Sequence, residues 1–94
     1  MSYDADLSDL HRRLDDLESR LAEKEGEIAK SGPIPSYHRA RIDEIYAQAR
    51  ATRQKLSNSK ETTWASVKGE VEADWQALTA SYQNWIERVD RDYR

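Results

Sequence analysis

Apolar residues recur along the chain at intervals of three and four, and their pattern divides it into three segments. The first carries Leu7, Leu10, Leu14, Leu17, Leu21 and Ile28, with Lys24 standing where another apolar residue is due. Such steps keep one face of a 3.6-residue helix apolar. They fit a heptad with Leu7, Leu14, Leu21 and Ile28 at a, and Leu10 and Leu17 at d. The second segment has a weaker stripe of Ile42, Ile45, Ala49, Thr52 and Leu56, helped by Tyr46 and, near its start, by His38 or Tyr37. The third is the strongest, with Trp64, Val67, Val71, Trp75, Leu78, Tyr82, Trp85 and Val89 on one face and mostly charged or amide residues between them. A stripe this long cannot stay in water alone. It needs another helix, a second copy of the chain, or a foreign surface.

The breaks between these segments set the architecture. Met1 to Asp6 reads as a frayed or capping lead-in, with Asp6 or Ser8 as the N-cap of the first helix. Ser31-Gly32-Pro33-Ile34-Pro35-Ser36 is the one strong interruption. There Gly32 can take a left-handed conformation, Pro33 cannot continue a helix, and Pro35 can sit in the first turn of the next. Ser57-Asn58-Ser59 is ambiguous, since Ser59 can cap a new helix, yet no Pro or Gly occurs from Ser36 to Lys68. A continuous helix to Arg91 would span about 84 Å. The register favours a break, because Leu56 at a places the next core sites at Ser59 and Thr63, whereas the apolar residue is Trp64. Gly69, inside the third stripe, offers room for a neighbouring Trp to approach, and Tyr93 and Arg94 are expected to fray.

The expectation is therefore one all-α domain over residues 1–94, with helices at about 7–30, 36–56 and 60–91. The first two form an antiparallel hairpin and the third is long and amphipathic. The assembly is a three-helix bundle or coiled-coil-like, and oligomeric.

Composition narrows what such a fold can do. Hydrophobic residues are 37% and charged residues 35% of the chain, too polar for a compact α/β or all-β domain. The regular spacing separates it from a disordered chain. No cysteine is present, which excludes a disulfide framework, a thiolate zinc site and a cysteine nucleophile. The start is acidic and unlike a signal peptide, and no run approaches the roughly 20 apolar residues of a membrane span, so the cytoplasm is the expected compartment.

The net charge of -3 hides an alternation. Residues 1–30 carry nine acids and five bases, residues 31–60 two and six, and residues 61–94 seven and four. A basic middle between acidic flanks suits helices packed side by side, orienting them more than stabilising them.

Candidate chemistry is sparse. His11 and His38 are the only histidines, and a hairpin sets them toward opposite ends. Neither a metal-binding spacing nor a glycine-rich phosphate loop occurs, so no catalytic residue, metal ligand or cofactor site is assigned. Metal sensing through the two histidines is a remote third class.

The three Trp residues invite a base-stacking or membrane-anchoring reading, but they lie in an acidic third that repels phosphates. The bases Arg39, Arg41, Arg50, Arg53, Lys55 and Lys60 spread around the second segment instead of forming one stripe.

The expected function is a non-catalytic helical scaffold or adaptor acting by helix-helix association, with an unknown protein partner or as a homodimer. Arg13 and Arg20 at g, with Glu18 and Glu25 at e, suit a second parallel copy through Arg13–Glu18 and Arg20–Glu25 pairs. Folding the hairpin instead sets Glu25 near Arg39 and Glu27 near Arg41, and brings Arg13 toward Lys55. The alternative is a peripheral binder of membrane or nucleic acid, through the Trp stripe or the basic helix.

Overall fold

The computed structural model describes residues 2–93. Met1 and Arg94, assigned above to the lead-in and the frayed end, lie outside the described residues. The described chain is all-helical. Its helices are α1 (Tyr3–Ala29), α2 (Ser36–Asn58) and α3 (Trp64–Asp92), the last preceded by a single 3-10 turn at Glu61–Thr63.

Helix α1 begins earlier than the apolar pattern suggests. Ser2, not Asp6 or Ser8, is its N-cap, with Oγ accepting the Ala5 N–H at 3.0 Å. Asp4 and Asp6 then lie in the first turn, where the helix dipole favours acids. At the other end Gly32 takes a φ of 134°, a conformation that L side chains rarely adopt. Pro35 stands one step before α2 as its N-cap, and its carbonyl accepts the Arg39 N–H at 3.0 Å.

The second break is real and needs neither Pro nor Gly. Ser59 and Lys60 are extended, with ψ of 157° and 154°. The Ser59 hydroxyl closes α2 by donating to the Leu56 carbonyl at 2.6 Å, so this serine caps the helix behind it. The Thr63 hydroxyl donates back to the Lys60 carbonyl at 3.2 Å and tightens the turn into α3.

The three helices run up, down and up. Tyr3 and Asp6 of α1 meet Ser59 and Trp64 at one end, while Lys24 reaches Asp90 at the other. The long dimension is 49 Å, far short of a continuous rod.

The predicted stripes become the core. All of their residues are buried except Leu7, Val67, Trp75 and Tyr82, which are half-buried; Ala49, Thr52 and His38 of α2 are buried with them. Each buried leucine or valine contributes at most about 1.5–3 kcal/mol, so the shared interior of all three helices is what makes α2, with its weak stripe, stable. Tyr37 is the one large apolar side chain among the described residues that is exposed, at 46%.

Gly69 does not receive a Trp. A Cβ built there or at Gly26 meets nothing within 4 Å, so neither glycine serves packing and both only weaken their helices. Gly26→Ala and Gly69→Ala are each expected to stabilise the fold by about 0.5–1 kcal/mol. Gly32→Ala should destabilise it because of its positive φ. Midpoints of urea unfolding followed by circular dichroism check all three.

Candidate functional site

The place where the core stripe comes to the surface is the seam between α1 and α3. Helix α3 packs most closely on α2, and α1 and α3 stand further apart. Leu17 of α1 and Trp75, Thr79 and Tyr82 of α3 line a groove of about 180 Å³ there, rimmed by Arg13, Asp16, Arg20 and Gln83. The Thr79 hydroxyl is turned inward along its own helix, donating to the Trp75 carbonyl at 2.8 Å. Burial pushes the Tyr82 hydroxyl above its ordinary pKa, with Arg20 and Lys24 pulling the other way. The groove is therefore an aromatic floor between charged helix flanks.

The other two indoles are fully accounted for. Trp64 is only 6% exposed, and its N–H donates to Asp6 Oδ2 of α1 at 3.0 Å. Lys68 stands 3.4 Å from the same carboxylate. The Tyr3 ring meets Trp64 edge-on, and its hydroxyl donates to the Ser59 carbonyl at 2.8 Å.

At the opposite end the Trp85 N–H donates to His38 Nδ1 at 3.0 Å, and His38 Nε2 lies 2.8 Å from Asp92 Oδ2. An indole nitrogen can only donate, so Nδ1 is the acceptor and Nε2 carries the imidazole proton toward Asp92. Arg88 adds a bond to Asp92 at 3.3 Å while stacking over Tyr37 at 4.9 Å. Trp64 and Trp85 are thus buried with partners, and Trp75 alone is half-buried.

These polar clamps escaped the sequence reading. The sequence offers Asp6 as a cap and does not single out Asp92. The signal was present in the Trp residues themselves, because an indole placed in a helical core needs an acceptor from a neighbouring element.

The candidate charge contacts sort differently from the expectation. Arg39 does bind Glu25, at 2.6 Å. Glu27 pairs with Lys24 of its own helix and Arg41 with Glu44 of its own, so the Glu27–Arg41 contact is not formed. Arg13 holds Asp9 instead of meeting Lys55, which is taken by Glu70 and Asp74 of α3. Arg53 bridges Asp15 and Glu18. Four of the six bases of the middle segment are thus engaged with carboxylates, leaving Arg50 and Lys60 without an ion pair among the described residues.

The two histidines stand apart and in different settings. Both nitrogens of His38 are occupied, and His11 Nδ1 sits 3.5 Å from the Arg53 guanidinium near the far end. Among the described residues no three His, Cys, Asp or Glu side chains gather where they could hold a metal ion, and no helix is long and apolar enough to cross a membrane. No protein-family model, curated protein or solved structure matches the chain.

The clamps make two predictions. His38→Ala strips Trp85 of its acceptor and Asp92 of a donor, and should cost about 2–5 kcal/mol. His38→Gln, whose amide can present an oxygen to the indole and an N–H to Asp92, should recover part of that in the same unfolding measurement.

The second concerns acid. Asp6 lies below its ordinary pKa because Trp64 donates to it, against burial and with help from Lys68. Burial pushes Asp92 up, but bonds from His38 and Arg88 outweigh it and leave that group low as well. A carboxylate with a depressed folded pKa contributes stability that is whole above its unfolded value and disappears as pH falls through the folded one. Stability should therefore drop below about pH 4, and an Asp6→Asn/Asp92→Asn variant should show a shallower drop when thermal midpoints are compared across acid pH.

Proposed function

We propose that the chain is a non-catalytic helical scaffold or adaptor of the cytoplasm, which acts by coiled-coil-like helix association through the α1/α3 seam. One observation carries the reading. Most of the long apolar stripe is used up inside the bundle, but Trp75 and Tyr82 remain half-buried at an open groove. Half-exposed aromatics in a concave, charge-rimmed seam are the usual anchors of protein-protein contacts.

The lack of a free imidazole nitrogen at His38 supports the non-catalytic part of the proposal. The alternative, a binder of nucleic acid or membrane, is weakened by two features. Carboxylates of α1, α2 and α3 engage most bases of the middle helix. Two of the three indoles are committed to internal hydrogen bonds.

Iodide quenching and sedimentation together test the proposal. In dilute protein, Trp75→Phe should remove most of the quenchable tryptophan emission. In the unaltered protein, that fraction should become protected as concentration rises and the sedimentation coefficient increases, or when a helical partner is added. Protection of Trp75 by anionic vesicles or duplex DNA, with no response to concentration or to helical peptides, would replace this reading with the surface-binding one.

A further inference from the structure

From the charges left along the seam we infer that its occupant is a second copy of this chain, laid antiparallel across α1 about a two-fold axis level with Glu18. The inference rests on the scaffold reading and names the partner of the same groove.

The parallel pairing suggested by the heptad has lost its acceptors. Glu18 is held by Arg53 at 3.1 Å and Glu25 by Arg39 at 2.6 Å, both across the α1/α2 hairpin. The flank of α1 that faces α2 is thus spent inside the molecule.

The opposite flank, beside Trp75 and Tyr82, carries Arg13, Asp16, Arg20 and Glu23. All four are exposed, and steps of three, four and three keep them on one side of the helix. Asp16, Arg20 and Glu23 form no ion pair among the described residues, and Arg13 has only the surface contact to Asp9 at 2.8 Å.

Their signs alternate, and that order is self-complementary when reversed. An antiparallel copy centred between Asp16 and Arg20 sets Arg13 against the second chain's Glu23 and Asp16 against its Arg20. Two-fold symmetry then repeats both pairs. A parallel, in-register copy sets each charge against its own like.

The outermost pair lies about 7.5 Å along the helix from the axis, within the stretch where two crossing helices touch. Further outward the like charges Arg12 and Lys24 would oppose each other, and so would Asp9 and Glu27. Each acid already holds a cation of its own helix, Arg12 and Arg13 for Asp9 and Lys24 for Glu27, and crossing helices diverge there. The two aromatic seams then cover one another at the centre, which gives the charge ladder an apolar middle.

The test uses two reversed variants of the full chain, R13E/R20E and D16R/E23R, with circular dichroism to establish that each is folded. Sedimentation equilibrium of the unaltered protein should show a monomer-dimer equilibrium that weakens with salt. Each variant alone should dimerise at least about tenfold more weakly. An equimolar mixture of the two should dimerise again, since one face is then all acid and the other all base. The register is read from the single-variant samples, because a parallel copy already sets like against like and gains no new repulsion from either change.

Unaltered protein that stays monomeric at millimolar concentration would overturn the inference while leaving a different helical partner open to the scaffold reading. Variants that dimerise as well as the original would overturn the charge ladder. Exposure of all three indoles in the folded monomer would instead remove the scaffold reading itself.

Discussion

A buried indole N–H cannot be left without an acceptor, and this constraint fixes both ends of the bundle. Hydrocarbon neighbours accept the ring but not its one polar atom, whose unpaired burial costs about 1–3 kcal/mol. Trp64 solves the problem with Asp6 of α1, and Trp85 with His38 of α2, which in turn leans on Asp92. Each solution draws in a different helix. Together they pin the start of α3 to α1 and its end to α2.

The same acids settle a second debt of the backbone. Neither α2 nor α3 has an acidic residue in its own first turn, and neither has a side-chain cap. Asp6 comes to the beginning of α3 through Trp64, and Asp92 to the beginning of α2 through His38. A carboxylate near a helix N-terminus is favourable whichever segment supplies it. The alternating charge of the three segments works at a larger scale in the same direction. Basic α2 lies between two acidic helices and reaches both, through Arg39 and Arg53 to α1 and Lys55 to α3. Exposed pairs of this kind add little stability and serve mainly to orient α2 between its neighbours.

What the sequence made legible was everything that depends on periodicity. The stripes of α1 and α3 and the mismatch between Leu56 and Trp64 follow from the 3.6-residue turn, the hairpin follows from Gly32, Pro33 and Pro35, and each has its counterpart in the fold. Contacts that depend on which flanks meet were harder to foresee. Glu25 with Arg39 was readable because both lie next to the hairpin, where register has had no room to drift. Glu27 and Arg41 lie two positions along from Glu25 and Arg39, about 200° around their helices, and each has its partner on its own helix instead. The clamps were least legible, because Asp6 and Asp92 look like ordinary terminal charge until the third dimension brings a Trp or His beside them. Ser59 shows the same limit locally, since a serine between two helices can close the first or open the second.

Between the two clamped ends the middle of α3 is held by packing and, on its α2 side, by Lys55 through Glu70 and Asp74; Trp75 differs from the other two indoles in lying on the open side. Helices α1 and α3 are parallel, so no short loop joins them and each is oriented chiefly by α2. Their separation at mid-length is set by the bulk of Leu17, Trp75 and Tyr82, which hold the seam open without filling it. Asp16 rims the same groove, but no hydrogen bond ties the Trp75 indole to α1 as one ties Trp64 to Asp6, and a half-buried position leaves that N–H open to water. Closing the seam from within would require smaller side chains at Trp75 and Tyr82. The chain retains large ones there, and large amphipathic rings lining an open groove are better matched to a surface that approaches from outside than to the interior they only partly enter.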